Sequence, residues 1–420
     1  MIRLLIGGSP CTKWSIAQTK GRETQPNCGI GWELFLNYKI AIDKFKPDYF
    51  LYENNKSAAT PIKDEIARQL EVVEPDLLTP DNGRRMTYIN SALVSAQNRQ
   101  RFYVTNFGDI EQPKDMGILL RDILETGHPR YEKSPCIDAN YYKGGNLTRP
   151  NCQSGQRLMS FEPIRIPEYG NVGKARPINS HYSNNCGGFE HRMFNPNPNK
   201  QQVDMIAYPI NTTGDGKSQT IKGQYQKTSA ANICCYSSTY GASGVEESVG
   251  YATPCEWDEN GRPTKAISGT DGKVYTVYEV KNGLITIKGK QYPIKLPDGF
   301  YIIRKLTVNE CKRLQTIPDW YEFPVSDSQA YKMIGNGWTI KVITHILSHI
   351  PNIQNEEIEV LSMYDGMSCG QIALKEMACN VVRYYATEID KYAIQTTQHN
   401  FPSTIQLGDA FQVRENGWRL

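Results

Sequence analysis

The sequence has no run near the ~18 consecutive apolar residues of a membrane helix, which excludes a helical transmembrane protein. It has no Cys-x-x-Cys pair, and its eleven cysteines are an odd number, so neither a structural metal nor a disulfide framework is expected. It lacks an excess of either charge: 47 Lys+Arg against 44 Asp+Glu leave +3, too balanced for a polybasic tail or an acidic scaffold. Residues 1–8 are too short for a secretory leader, so a cytoplasmic protein is expected. Internal repeats and low-complexity tracts are missing as well. What remains is a soluble, globular composition with 39% hydrophobic residues and mean hydropathy −0.53. At 420 residues there is room for two or three folding units.

Three textures divide the chain. In residues 1–106 an apolar strand over 3–6 ends in Gly7-Gly8, and Leu34, Phe35, Tyr38, Ile42 and Phe45 recur at helical spacing. An apolar run over 49–52, a helix over 62–70 and a strand over 101–105 follow. Strands separated by such helices imply βα units and a parallel sheet. Residues 107–301 lose the helical period and keep short β-like runs, among them 273–280 and 284–288 with Asn282-Gly283 as the turn between them. Within this stretch, 128–200 carries about 10 Lys+Arg against about 5 Asp+Glu, a local basic surplus. Such an insertion predicts a β/loop domain with recognition surfaces. Residues 302–420 return to α/β texture, with a helix over 338–350 and a strand over 358–363 entering Asp365-Gly366-Met367-Ser368-Cys369-Gly370. A helix over 372–377, a strand over 381–387 ending at Glu388, and a further helix and strand ending at Gly408-Asp409 complete it.

A strand that feeds a glycine turn opening a helix aims backbone N–H groups and the positive helix end at a ligand. Glu388, 23 residues after Asp365, suits ribose hydroxyls, and Asp409 suits an adenine amino group. This half therefore predicts an adenosine-containing ligand. The Asp-Gly-x-x-x-Gly spacing departs from Gly-x-Gly-x-x-Gly and counts against NAD. At the other end, Cys11 follows an apolar strand and a glycine pair, where an α/β enzyme presents a nucleophile. Pro135-Cys136 and Pro254-Cys255 lack that context and read as plain thiols. Glu53 closes a second strand, and Arg99 and Arg101 share one face of an extended segment.

As an ordered set, Gly8-Ser9-Pro10-Cys11, Tyr52-Glu53-Asn54 and Gln97-x-Arg99-x-Arg101 resemble the catalytic motifs of cytosine-C5 DNA methyltransferases. Gly31-Trp32-Glu33-Leu34-Phe35 resembles that family's helix beneath the cofactor, and 304–318 its support for the recognition domain. Residues 329–338, ending Ile334-Gly335-Asn336-Gly337-Trp338, resemble its last motif. Tyr364 to Gly370, Glu388 and Gly408-Asp409 resemble its first three. The order is rotated, because the cofactor motifs follow the Gly-Asn motif instead of opening the chain. This resembles a circular permutant cut between the third and fourth motifs, with its ends expected close together on the surface. Smaller departures are Tyr364 for the usual Phe, and Ile389 where many members stack a residue on adenine.

The resemblance implies an α/β fold: a Rossmann-like, circularly permuted S-adenosylmethionine-dependent methyltransferase sheet built from 1–106 and 302–420. A mostly β/loop target recognition domain is inserted over 107–301. It implies S-adenosylmethionine, with S-adenosylhomocysteine as product, held by Pro10, Leu34, Asn336, Trp338, Tyr364, Asp365, Gly366, Met367, Ser368, Gly370, Glu388, Ile389, Asp409 and Ala410. The implied activity is methylation of C5 in a flipped-out cytosine of double-stranded DNA. Cys11 would add to C6, Glu53 would hydrogen-bond or protonate N3, and Arg99 and Arg101 would hold the O2/phosphate side. The segment 12–29, with Lys13, Lys20 and Arg22, resembles the loop that closes over DNA. A bacterial or phage-encoded monomer is implied, with a cognate restriction endonuclease as a candidate companion. Methylation of cytosine in tRNA and a catalytically inactive DNA-binding paralogue are the alternatives. The long insertion argues against the first, and the intact Cys, Glu and Arg set against the second.

Overall fold

The structure, a computed structural model, describes residues 1–10, 13–15, 21–73, 81–129, 131–143, 159–164, 204–209, 233–238 and 251–415. The chain first forms β1 (Ile2–Gly7), α1 (Gly29–Phe45), β2 (Tyr49–Asn55), α2 (Thr60–Gln69), β3 (Arg85–Asn90) and β4 (Gln100–Thr105). Next come β5 (His128–Pro129), β6 (Met159–Pro163), β7 (Asp204–Pro209), β8 (Ile233–Ser238), β9 (Thr253–Trp257) and β10 (Pro263–Ile267). They are followed by β11 (Val274–Lys281), β12 (Leu284–Ile287), β13 (Lys290–Pro293) and β14 (Gly299–Lys305). The last stretch holds α3 (Val308–Leu314), α4 (Asp327–Asn336), α5 (Ile340–Leu347), β15 (Glu357–Met363), α6 (Cys369–Glu376), β16 (Asn380–Thr387), α7 (Lys391–Asn400) and β17 (Ile405–Gly408).

These elements make two compact units: Met1–Leu124, Tyr131–Met159 and Lys305–Leu420 form the first, Glu125–Arg130 and Ser160–Arg304 the second. The division falls later than the change of texture at 107. Ile110, Leu120, Ile123, Ile137 and Tyr141 are apolar anchors buried in the same core as α3 and α5, so the chain around them stays with the first unit.

The first unit is built on a seven-stranded sheet in the order β17-β16-β15-β1-β2-β4-β3. The pairs from β17 to β2 are parallel, and β4 runs antiparallel to both β2 and β3. Leu4, Leu5 and Ile6 of β1 are all fully buried, as a central parallel strand covered on both faces requires. Leu4 and Ile6 join one core cluster and Leu5 the other, the alternation that the pleat dictates. α1 covers one face with Trp32, Phe35, Tyr38, Ala41 and Phe45, and ends at Lys46 in the left-handed conformation. The edge strand β3 was not anticipated: Arg-Met-Thr-Tyr-Ile-Asn has no apolar run, and an edge strand needs none. Arg3 stacks 4.2 Å over the Phe45 ring, while neighbouring Lys44 donates to the carbonyls of Val413 at 2.5 Å and Glu415 at 2.9 Å. Both described ends of the chain therefore meet at the last turn of α1.

The second unit centres on antiparallel strands in the order β13-β12-β11-β14-β6-β5, with β10 joining β11 to β9. β7 and β8 pair with each other. Asn282 and Gly283 connect β11 and β12 with positive φ at both positions (51° and 70°), the twist-matched two-residue hairpin turn. Inside this unit Arg304 and Glu162 form a fully buried ion pair at 3.2 Å. Glu162 also accepts from Ser268 Oγ at 2.8 Å and the Gly269 amide at 2.6 Å, and Arg304 donates to the Thr126 carbonyl at 2.8 Å. Among the described residues, no helix is long and apolar enough to cross a membrane.

Candidate active site

The carboxyl ends of five adjacent parallel strands bring the singled-out residues to one edge of the sheet. Along it stand Asp409 after β17, Glu388 after β16, Tyr364-Asp365 after β15, Gly8-Ser9-Pro10 after β1 and Glu53 near the end of β2. This is where an open α/β sheet binds ligands. Cys11, Thr12 and Lys20 lie outside the described residues, and the chain leaves β1 toward Cys11 at this edge.

The segment before Cys11 is clamped onto β2. A Cβ on Gly8 would strike the Glu53 carbonyl oxygen, so only glycine permits this approach. Ser9 Oγ hydrogen-bonds Tyr52 OH at 2.7 Å, and Asn54 Nδ2 donates to the Ser9 carbonyl at 2.9 Å. Glu53 is buried and receives an N–H on each oxygen, from Arg101 Nε at 2.9 Å and from the Trp338 indole at 3.0 Å. Arg101 reaches it from β4, where Arg101 pairs with Asn55 and Tyr103 with Glu53, which places Arg101 diagonally across.

Arg99 does something different. Its buried guanidinium donates to the carbonyls of Gly337 at 2.7 Å, Gly335 at 3.2 Å and Ile137 at 3.4 Å, and so fastens the turn after α4. A Cβ at Gly335 would run into the Asp138 backbone and lie 2.6 Å from the Ala139 amide nitrogen, which is why that turn needs glycine. Cys136, read as a plain thiol, in fact accepts from Arg99 Nη1 at 3.2 Å and sits 4.0 Å from Arg101 Nη2. Burial raises its pKa, but the charges and hydrogen bonds of the two arginines outweigh burial and leave it below the ordinary thiol value. The Pro-Cys dipeptide gave no sign of this, because the arginines arrive from a distant strand.

The arms of segment 12–29 are tied down where described. The buried Trp14 indole donates to Glu23 Oε2 at 3.2 Å, and the same oxygen accepts the Gly31 amide at 3.1 Å. Arg22 donates to the Ser57 carbonyl at 2.7 Å.

The turn from Tyr364 to Gly370 is unusually shaped. Tyr364 (φ 59°) and Ser368 (φ 57°) are non-glycine residues in the left-handed region, a conformation of order 1–3 kcal/mol per residue that clusters at ligand sites. Tyr364 OH donates to the Leu34 carbonyl at 2.7 Å, and Tyr321 OH to the Met367 carbonyl at 2.7 Å. Gly370 lets α6 press onto Ile6 of β1. Glu388 accepts the amides of Gly366 at 2.8 Å, Ile389 at 2.7 Å and Asp390 at 2.8 Å, which locks β15 to β16 at this edge. Gly366 faces open space on its Cβ side, Ile389 is 74% exposed, and Asp409 is exposed while its carboxylate accepts the Phe411 amide at 2.9 Å. Ala410 is buried behind it, and Pro10 and Asn336 are exposed. An exposed apolar side chain, two carboxylates and an open glycine at one sheet edge are the donor set and space that an adenosine moiety takes.

Asp365 points inward, accepting from Tyr384 OH at 2.8 Å and from Ser368 Oγ. Burial pushes its carboxyl up to about 6; hydrogen bonds from Ser362, Ser368 and Tyr384 oppose this and the Glu388 charge adds to it. With the folded pKa above the usual 3.8, the native state holds more protons between the two values. The stabilisation is complete below about pH 3.8 and is lost as pH rises through about 6. Asp365→Asn should therefore gain ~2–3 kcal/mol on the parent chain between about pH 4 and pH 8, read from urea unfolding at each pH. An unchanging gap between the two proteins would contradict the assignment.

A mostly parallel, two-face-covered sheet with this turn at its carboxyl edge defines a Rossmann-like methyltransferase fold. The chain belongs to the C-5 cytosine-specific DNA methylase family, whose model matches residues 1–352. An orphan methyltransferase of Bacillus phage SPR (M.SPRI) is 25% identical over 386 residues, 83% of this chain and 82% of that one. A type II methyltransferase of Moraxella sp (M.MspI) is 32% identical over 92 residues, 22% of this chain and 21% of its own length. Among solved structures, the Dnmt2 methyltransferase of S. pombe aligns at 11% identity and TM-score 0.31, covering 77% of this chain and 74% of that one.

Proposed function

We propose that this protein transfers a methyl group from S-adenosylmethionine to C5 of cytosine in double-stranded DNA, with Cys11 as nucleophile. The observation that supports it most is the clamp of Gly8-Ser9 on Tyr52-Glu53-Asn54, which ties the approach to Cys11 to a carboxylate held by Arg101. S-adenosylmethionine, when bound, supplies an electrophilic methyl group. Glu388, Asp409, Ile389, Tyr364 and the Gly366 turn would hold it.

Cytosine C5 is a weak nucleophile until the ring is charged. Attack of the Cys11 thiolate on C6 moves ring electrons toward C5 and N3, while Glu53 at N3 and Arg101 beside it stabilise the developing charge. Acid assistance of this kind contributes ~10²–10⁴ in rate. After C5 has been methylated, removal of its proton expels Cys11 and restores the aromatic ring. Arg99 acts by holding the Gly335–Gly337 turn, and Arg101 alone of the pair faces the carboxylate. The base must be extruded to reach this edge, and contacts from the second unit would offset the few kcal/mol of unstacking.

The proposal includes a circularly permuted motif order. The family model ends at 352, yet β15, β16 and β17 extend the same sheet beside β1, and both described chain ends reach the last turn of α1. Bisulfite sequencing of DNA from cells that lack cytosine methylation but express the chain tests the function. A recurrent protected motif is expected. An unmodified genome together with protected cytosines in tRNA would favour the RNA reading.

A further inference from the structure

We propose that Trp338 is a positioning residue for Glu53: its indole N–H fixes the carboxylate plane and so presents one defined edge to the cytosine ring. This deepens the methyltransferase reading and rests on it. The sequence placed Trp338 with the cofactor contacts. In the fold its Nε1 donates to Glu53 Oε2 at 3.0 Å, while Arg101 Nε takes Oε1 at 2.9 Å. Two donors on two different oxygens leave the carboxylate no free rotation about its last torsion. Either alone would leave the group free to swing about a single tether.

The strut has a rigid foot. The Trp338 amide donates to Cys369 Sγ at 3.2 Å, at the start of α6, and Gly337 sits so close that its Cβ position lies 3.1 Å from the same sulfur. Arg99 Nη2 at 2.7 Å and Gln315 Nε2 at 3.3 Å both hold the Gly337 carbonyl. Burial, eased by that Trp338 amide bond, pushes the Cys369 thiol up to about 12, so it stays a neutral sulfur in this contact. The chain Cys369–Trp338–Glu53 therefore runs from the glycine turn of the adenosine-type site to the carboxylate of the cytosine site. It gives Arg99 a purpose as well, since Arg99 secures the backbone from which the indole projects.

Trp338→Phe keeps the ring and removes the one N–H, which makes it the discriminating variant. Hydrogen bonds to charged groups are strong enough that kcat for DNA methylation should fall about 10- to 100-fold. The Kd for S-adenosylhomocysteine by titration calorimetry should stay within about 2-fold. In an Glu53→Gln background the same change should alter kcat by less than about 3-fold, because the group it orients is already disabled. An undiminished kcat, an equal loss in both backgrounds, or an effect confined to cofactor affinity would each overturn the proposal.

A second readout needs no methylation. In protein labelled with ¹⁵N-tryptophan, the Trp338 indole resonance, identified among the six tryptophans by its loss in Trp338→Phe, should move on Glu53→Gln. An unmoved resonance would refute the contact. A moved resonance in a protein that methylates no cytosine would refute the methyltransferase reading and uphold the strut.

Discussion

Cys11→Ser should abolish methylation, lowering the rate by at least ~10³-fold while leaving DNA and cofactor-analogue binding within a few-fold of the parent protein. A serine hydroxyl with no dedicated base is a far poorer nucleophile than a thiolate toward C6. The sharper measurement uses DNA in which the target cytosine carries fluorine at C5. By the proposed mechanism the parent chain would add to C6 and methylate C5 with no proton left there to leave, so a covalent protein–DNA species should survive denaturing electrophoresis. Cys11→Ser should give none. A trapped species that persists in the serine variant would move the nucleophile elsewhere, and Cys136, with its arginine-lowered pKa, would be the next thiol to replace.

Glu162→Ala should destabilise the second unit by about 3–5 kcal/mol. Arg304 and Glu162 are both fully buried, so truncating the acid strands a guanidinium in the interior and orphans the Ser268 hydroxyl and Gly269 amide. Replacing both members with apolar side chains should recover only part of this, because those two donors would still want an acceptor. Differential scanning calorimetry should show one transition moving to lower temperature with the single variant and moving partly back with the double. A single variant that melts like the parent would mean that water reaches Arg304.

Much of the first unit was legible in the sequence for a physical reason. Central parallel strands are apolar on both faces, so Leu4-Leu5-Ile6 and the run through Val360-Leu361 stand out, and α1 announces itself through a stripe from Trp32 to Phe45. β3 was invisible because an edge strand needs no apolar run. The compact units divide later than the change of texture at 107, because isolated anchors such as Ile110 and Leu120 carry no periodicity. At the site, residue types and order picked out Glu53, Arg99 and Arg101, but not the division of labour between the arginines. That division depends on which partner lies across the sheet: Glu53 for Arg101, and a turn more than 230 residues downstream for Arg99. The partnerships of Cys136 and Trp338 are of the same kind, made by tertiary proximity with no local signature.

The register Ile2↔Ile358 sets a constraint on biosynthesis. The strand at the heart of the sheet is made about 350 residues before β15, one of its two flanking partners. Until then the apolar run Leu4-Leu5-Ile6 has one side uncovered, and pairings this distant in sequence form slowly and expose the nascent chain to aggregation. The carboxyl edge that carries Tyr364, Glu388 and Asp409 cannot form before β15, β16 and β17 have been made. A chaperone requirement during expression should accordingly ease when β15–β17 are supplied ahead of β1 in a rearranged chain, read as soluble yield.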